Sequence, residues 1–222
     1  MIRRRGEAAV LALLVAVLTG CAHAISGTAT WPGAKLERVV LTAADFPPGV
    51  QYDRLTRSPD QPDRAGGPPS MQSNPEGCSD GLTRAIADSA ERGPGSAAEY
   101  VVGYDGARIV MSVLTWRLDL ARLAATADRC AHFQTFFDAS TPGIPMTTIR
   151  LQTSRPDALV YQQTMRLNDV DSSAYFAFEN IRRMAVFGIA FPTPNPSIPV
   201  KAALPQTFLD IVAKQADRAQ TA

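Results

Sequence analysis

EYVVGYDGARIVMSVLTW, residues 99–116, decides the fold because two apolar runs flank the dipeptide Asp105-Gly106. Asp-Gly favours the positive φ angles of a two-residue hairpin turn, and both runs are rich in the β-branched and aromatic residues of strands. The cross-strand pairs that this turn predicts are Tyr104 with Ala107, Val102 with Ile109, and Tyr100 with Met111. The stretch therefore predicts an antiparallel hairpin.

A second hairpin is predicted downstream, where ALVYQQTMRL (158–167) and SSAYFAFEN (172–180) flank the dipeptide Asn168-Asp169. A two-residue turn there places Leu159 opposite Phe178 and Tyr161 opposite Phe176. The apolar faces of the two strands then agree in phase, whereas a slip of one residue would move every apolar side chain to the other face. Two further strands are predicted at residues 146–153 (MTTIRLQT) and 182–191 (RRMAVFGIAF).

Helices are predicted on both sides of the first hairpin. Asn74-Pro75-Glu76 is typical of a helix start, because Pro is favoured at the first helical position. The apolar residues that follow at helical spacing are Cys78, Leu82, Ala85, Ile86 and Ala90. A second helix is predicted after Asp119, with the apolar stripe Leu120, Leu123, Ala127, Cys130, Phe133 and Phe137.

The two ends of the predicted domain complete the fold. Thr42 and Asp45 form a capping signature, and the following prolines stop that helix within about one turn, before a strand at residues 50–56. A last helix places Leu204, Phe208, Ile211, Val212 and Gln215 on one side. This order of elements predicts an α+β fold, with a mainly antiparallel sheet packed against helices in a single domain, residues 41–218.

The N-terminus has the charged-then-apolar order of a secretory signal peptide. Three arginines, residues 3–5, precede an apolar stretch at residues 8–18 that is too short to span a bilayer, which needs about 20 residues. The following Leu18-Thr19-Gly20-Cys21 resembles the lipobox of bacterial lipoproteins. We therefore predict that residues 1–20 are removed and that Cys21 carries a diacylglycerol. An ordinary signal peptide with a chance cysteine and an N-terminal core helix are the alternatives.

Residues 21–40 are predicted to be a lipidated tether between the membrane and the domain, because they have few apolar anchors and contain Gly27, Pro32 and Gly33. Trp31 is expected to dock loosely on the domain or the bilayer. Residues 57–77 concentrate Pro, Gly, Asp and Ser and are predicted to be a surface loop.

The cysteines support a chain that works outside the cytoplasm. Lipidation of Cys21 leaves Cys78 and Cys130 as an even pair in an oxidising compartment, so we predict a disulfide between them. Two reduced, buried thiols are the alternative. The predicted disulfide would join the first long helix to the helix that follows the hairpin.

The net charge and the residue types present exclude several classes of function. The chain has 22 basic and 21 acidic side chains. Removal of residues 1–20 takes away three Arg and one Glu and leaves 19 basic and 20 acidic side chains. The mature chain therefore has no excess of positive charge that would favour binding to nucleic acid. Histidine occurs only at His23, in the tether, and at His132, which is expected to be solvated. No G-x-S-x-G or C-x-x-C motif occurs, so no catalytic residue, metal site or cofactor is predicted.

Three polar groups remain open to interpretation. Asp169 and Asp171 could bind Ca²⁺ or act on a glycoside, but they are typical of a solvated turn. Arg182-Arg183 could meet an anionic lipid or glycan headgroup, or could form an ordinary solvated turn. Residues 162–164 (QQT) give one strand a mixed polar face, which lines a cleft or meets water.

The order of these parts resembles a known family. The opening LTAADFPPG, the segment EGCSDGL, the helix ARLAATADRCAHF and the closing FLDIVAKQADR resemble the mycobacterial sensor-domain lipoproteins. Those proteins are similar to the extracellular sensor domain of a mycobacterial serine/threonine kinase. The resemblance covers about residues 39–218 and implies a non-catalytic domain that binds or senses a ligand. Kinase-type members carry a second disulfide, whereas this chain has no cysteine after Cys130.

Together these features predict a cell-envelope lipoprotein, held on the extracytoplasmic face of the cell membrane by its lipid, with a ligand-binding or sensing domain that is not an enzyme. The ligand is a small molecule, a lipid or an envelope protein, and the sequence does not identify the residues that bind it. A lipid or glycolipid carrier with a cavity between sheet and helices is the alternative, and an envelope hydrolase is a weaker one.

Overall fold

The computed structural model describes residues 32–55, 71–87, 95–138 and 140–221. The predicted signal peptide, Cys21, His23 and Trp31 lie outside these residues. None of the helices within the described ranges is long and apolar enough to cross a membrane.

A nine-stranded antiparallel sheet forms the centre of the fold, in the order β1-β3-β4-β9-β8-β7-β6-β5-β2. The strands are β1 Gln51–Leu55, β2 Gln72–Asn74, β3 Ala97–Tyr104, β4 Gly106–Leu114, β5 His132–Phe136, β6 Ile144–Arg150, β7 Leu159–Leu167, β8 Val170–Ile181 and β9 Met184–Thr193. The helices are α1 Pro32–Val39, α2 Gly81–Ala87, α3 Leu120–Arg129 and α4 Gln206–Thr221, with a 3₁₀ turn at Ala43–Asp45. The predicted α+β class and antiparallel sheet are confirmed.

Both predicted hairpins have the predicted register. Tyr104 pairs with Ala107, Val102 with Ile109, and Tyr100 with Met111 across β3 and β4. Leu159 pairs with Phe178 and Tyr161 with Phe176 across β7 and β8. Asn168 and Asp169 have φ angles of 51° and 61°, as a primed two-residue turn requires.

The two faces of the sheet are covered by different helices. Helices α1 and α4 pack on one face, where their side chains join a core that includes Tyr100, Val102 and Ile109. Helices α2 and α3 pack on the other face, over a core that includes Phe178 and Phe187. At Gly188 a β-carbon would lie 2.8 Å from both Met111 Sδ and the Phe208 ring, so α4 rests directly on the sheet there.

The predicted tether is too long at its C-terminal end. Leu36, Val39 and Leu41 are at most 1% exposed, and they pack against α4 and β3 in the core. The amphipathic helix α1 forms here despite Pro32 and Gly33 because burial of its apolar side favours it, and Pro is tolerated at the first helical position. The core of the domain therefore begins before residue 41.

Charged contacts hold the segment after α1 to helix α4. The amide of Thr42 donates to Asp45 Oδ2 over 2.8 Å, which confirms the predicted capping contact. Burial opposes the charged form of Asp45, but hydrogen bonds from Thr42 and the charges of Arg218 and Lys214 outweigh it and hold the pKa of Asp45 below its usual value. Arg218 pairs with the Asp45 carboxylate, and the Lys214 ammonium donates to the Asp45 carbonyl.

Both predicted helix boundaries around the cysteines are wrong. Asn74 ends β2, and helix α2 begins only at Gly81, so Cys78 precedes the helix instead of lying in its first turn. Helix α3 ends at Arg129, and Phe133 belongs to strand β5. The sequence HFQTF alternates, so a strand buries Phe133 and Thr135 on one side, which a continued helix would not do.

The predicted disulfide between Cys78 and Cys130 is confirmed, with an S–S distance of 2.06 Å and a Cα–Cα distance of 5.5 Å. It joins the segment before α2 to the residue that ends α3. Phe133 and the partly buried Met146 pack against it. The disulfide therefore supports strands β5 and β6 from the face of the sheet that α2 and α3 cover.

Candidate ligand-binding site

One row of cross-strand neighbours shows where the helical layer ends. The row crosses seven strands through the partners Tyr52, Val102, Ile109, Ala190, Tyr175, Gln162 and Ile149. From Val102 to Tyr175 these side chains are buried on the face that α1 and α4 cover. Beyond Tyr175, Gln162 is half-buried and Ile149 is 52% exposed. In this row the layer therefore ends over β8. Val160, near the start of β7, is still buried in the core, so the uncovered part of this face comprises β5, β6 and the residues of β7 from Gln162 onward.

The uncovered part of this face, with the adjoining Ser173 of β8, is called the open face below. A second row of neighbours, His132, Thr147, Thr164 and Ser173, crosses it from β5 to β8. With the neighbouring positions of the same strands, the open face consists of His132, Gln134, Pro145, Thr147, Ile149, Gln162, Thr164 and Ser173. None of these eight residues is Asp, Glu, Lys or Arg. The next pair on the same face, Arg166 of β7 and Asp171 of β8, is charged, and the two face each other across the hairpin.

Three side chains of the open face form a hydrogen-bonded group. Gln162 Nε2 donates to Ser173 Oγ over 2.9 Å and to Thr164 Oγ1 over 3.4 Å, and the two hydroxyls lie 2.8 Å apart. Gln162 Oε1 has no hydrogen-bond partner among the described residues. In this arrangement the oxygen is an acceptor that a bound hydroxyl could use.

A second amide lies at the β5 side of the open face. A β-carbon on Gly143 would lie 2.9 Å from the side-chain amide of Gln134 and 2.9 Å from the Phe136 ring. Because residue 143 is a glycine, the side chains of Gln134 and Phe136 can both pack against its backbone. Gln134 is exposed and Phe136 half-buried, which adds a polar group and part of an aromatic ring to the site.

Charges lie at the margin of the open face. Arg166 faces Asp171 across the hairpin and lies 3.5 Å from Asp169 Oδ1 in an exposed ion pair. The Asp169 side chain is 95% exposed, as a solvated turn residue is. Within the described ranges, no group of three His, Cys, Asp or Glu side chains is arranged to hold a metal ion.

His132 is exposed, as predicted, but the reason is different. It belongs to strand β5 and not to a helix, so its side chain points to the open face while Phe133 points to the disulfide. The disulfide and the open face therefore lie on opposite sides of the same strand.

Apart from the open face, a polar cleft of about 290 Å³ lies at the end of the sheet near Arg155. Arg155 donates to both oxygens of the buried Glu179, over 2.7 and 2.8 Å, and to Asp217 Oδ1 over 2.7 Å. These hydrogen bonds to Glu179 and Asp217 outweigh burial and raise the pKa of Arg155. Because both carboxylates are engaged, this group holds α4 to β8 and offers a ligand little.

The sequence identified part of the open face. Gln162 and Thr164 were predicted to line a mixed polar face, and they do. Gln163 belongs to the other face, where it donates to Thr148 over 3.3 Å. His132, Thr147 and Ser173 were missed as members of the site. The alternation of HFQTF in β5, which exposes His132 and Gln134 on one side, was a signal that could have found His132.

Comparisons with known proteins find a distant structural similarity. No family model matches the sequence, and no curated protein matches it. The X-ray structure of an uncharacterized protein from Mycobacterium smegmatis, the Rv0999 ortholog, is similar over 86% of this chain and 96% of that chain, with 14% sequence identity and a TM-score of 0.49. This is a distant match to a mycobacterial protein, and the relation to sensor domains stays a prediction.

Proposed function

We propose that the protein is a cell-envelope lipoprotein whose extracytoplasmic domain binds an uncharged, hydroxyl-rich ligand, a neutral glycan, on the open face and catalyses no reaction. The observation that carries the proposal is the open face itself. It is an accessible sheet surface of amides, hydroxyls and apolar side chains, and the charged Arg166 and Asp171 at its hairpin end face each other across the strands.

The chemistry of the open face matches a neutral sugar. Gln162 Oε1 accepts from a sugar hydroxyl, and the exposed amide of Gln134 both donates and accepts. Ile149 and Pro145 offer apolar contact for the C–H faces of a sugar ring. A charged ligand would instead need a buried or paired countercharge on this surface.

The non-catalytic part of the proposal follows from the positions of the carboxylates. Glycoside hydrolysis generally needs two carboxyl groups about 5–10 Å apart, facing the sugar. Asp169 and Asp171 lie at the exposed tip of the hairpin, at the margin of the open face, where Arg166 accompanies them. Glu179 and Asp217 are held by Arg155.

The carrier alternative has less support. A lipid carrier needs an apolar cavity between the sheet and its helices. Beneath the first turn of α4, Phe208 and Met111 approach Gly188 so closely that a β-carbon there would clash. Native mass spectrometry of protein taken from its own envelope tests this alternative, because lipid bound in stoichiometric amounts would favour the carrier.

Lipid anchoring is tested at Cys21. We expect Cys21→Ala to abolish diacylglyceryl attachment and to release the protein from the membrane, while the domain stays folded because its core lies further along the chain. Membrane fractionation and intact mass measure both effects. A Cys21→Ala protein that stays in the membrane fraction at the wild-type level contradicts the lipoprotein proposal.

Ligand binding is tested on a panel of neutral and charged oligosaccharides, followed by calorimetry on the best binder. We expect Gln162→Ala to weaken binding about tenfold, since the lost hydrogen bonds contribute about 1 kcal/mol each. Gln152→Ala is the matched control, because Gln152 is exposed in the β6–β7 connection, away from the open face. Equal affinity of both variants, a preference for charged glycans, or turnover of any glycan contradicts the proposal.

A further inference from the structure

Three arginines lie together at one end of the sheet. Arg182 and Arg183 form the two-residue turn between β8 and β9, and Arg117 follows β4. Arg117 Nη1 donates to the Arg182 carbonyl oxygen over 3.1 Å, which brings its guanidinium to the turn. All three residues are exposed, and within the described part of the chain none has a carboxylate partner. They are called the basic turn below.

The geometry of the turn does not account for an arginine at position 182. Arg182 has a φ angle of 55°, in the left-handed region that costs a residue with a β-carbon about 1–2 kcal/mol. At the opposite end of β8 the same meander uses Asn168 and Asp169, which tolerate this region. Because this turn geometry does not favour arginine, we attribute the presence of Arg182 to its charge.

Nearby carboxylates leave the basic turn with an excess of positive charge. Glu179 and Asp217 are paired with Arg155. Asp119 accepts from the Arg122 amide as the N-cap of α3. Asp157 shares a cleft with Arg182 and is exposed, and it offsets only one of the three guanidinium charges.

The chain leaves the domain toward its N-terminus at this same end. The Tyr52 hydroxyl donates to the Leu41 carbonyl over 2.8 Å, and Arg54, two residues further along β1, pairs with Glu37 over 3.1 Å. Helix α1 therefore runs back along β1 toward the end of the sheet at which β8 meets β9. Pro32 lies beyond Glu37 in that direction, and Cys21 precedes it by 11 residues, at most about 40 Å of chain.

We propose that the basic turn is an interaction surface for the anionic phospholipid headgroups of the membrane in which the protein is anchored. The proposal rests on lipidation of Cys21 for the distance to the bilayer, but not on the ligand of the open face. Because the basic turn lies at the ends of the strands, this contact and the short connection together orient the strands away from the membrane, so that the open face is presented sideways to the envelope.

The test uses the mature chain with Cys21→Ala, so that binding does not depend on the lipid. Co-sedimentation is measured with phosphatidylcholine vesicles, with and without phosphatidylglycerol. We expect partition to the anionic vesicles that salt weakens, since each basic side chain near an anionic surface contributes about fivefold. The variant Arg117→Gln, Arg182→Gln, Arg183→Gln should lose about a hundredfold.

The control removes the same charge elsewhere, with Arg108→Gln, Arg150→Gln and Lys201→Gln, and should lose clearly less. Lys201 is exposed and forms a β-bridge with Asp105, at the opposite end of the sheet. Circular dichroism establishes that both variants are folded. Equal losses in the two variants, no preference of the parent for anionic vesicles, or binding to a soluble anionic polysaccharide instead of vesicles overturns the proposal. A chain that is never lipidated in cells contradicts the proposed function and leaves the vesicle result unchanged, so the two failures are distinguishable.

Discussion

Gln215 joins the two ends of the domain. It is completely buried on helix α4, and its Nε2 donates to the Val39 carbonyl over 2.8 Å. Its Oε1 accepts from the Leu41 amide over 3.1 Å. We expect Gln215→Leu to be strongly destabilising, because leucine has a similar volume but satisfies neither backbone group.

The magnitude follows from the two backbone groups left without partners. A buried donor or acceptor that loses its partner costs about 1–3 kcal/mol, so the two groups together cost about 2–6 kcal/mol. The similar volume of leucine keeps the packing contribution small. A single domain is usually stable by about 5–15 kcal/mol, so the loss is a large fraction of the total.

Urea unfolding of the mature Cys21→Ala chain, followed by far-UV circular dichroism, measures this loss. The matched control is Gln220→Leu, which makes the same exchange at an exposed position of the same helix. We expect a lower midpoint for Gln215→Leu and similar slopes for both variants. If the unfolding free energies of the two variants agree within about 0.5 kcal/mol, the reasoning about buried backbone groups is wrong.

Three further predictions follow from the structure. Replacing Cys78 or Cys130 by Ser should lower the free energy of unfolding by about 4 kcal/mol, because the disulfide closes a loop of 52 residues. Free thiols in the denatured, non-reduced Cys21→Ala chain would contradict the pairing. Burial raises the pKa of Tyr100 and keeps its hydroxyl protonated, and this hydroxyl has no hydrogen-bond partner in the described structure. Tyr100→Phe removes the unpaired polar group and should therefore raise the melting temperature. A clear decrease would show that the hydroxyl makes a hydrogen bond. Asp45→Asn should cost about 1 kcal/mol at pH 7, and because the folded pKa of Asp45 is lowered, its contribution is present above the unfolded value and is lost as the pH falls through the folded one. A difference between Asp45→Asn and its parent that stays constant down to pH 2 would contradict this assignment.

Local signals account for the parts of the fold that the sequence predicted. Asp105-Gly106 and Asn168-Asp169 each specify a turn within a few residues, and a two-residue turn fixes the register of the strands beside it. The buried side of α4 was also predictable, since Phe208, Ile211 and Gln215 share one face at helical spacing.

Contacts that are distant in the chain account for the errors. Leu36 and Val39 are too few to predict a core helix, and only their burial against α4 and β3 establishes one. Cys78 and Cys130 lie just outside their helices because pairing of β2 with β5 fixes the chain there. The open face could not be predicted as a site, because it depends on where α4 ends relative to four strands.

In the proposed lipoprotein, the contact between α1 and α4 affects the order of events during secretion. A chain that crosses the membrane from its N-terminus delivers residues 36–41 early, yet the glutamine that binds Val39 and Leu41 arrives only with the last helix. The two hairpins can form while synthesis continues, whereas the segment next to the predicted lipidation site must wait for nearly the whole polypeptide. In the proposed lipoprotein, the enzymes that modify Cys21 would therefore act before α4 holds helix α1 in place.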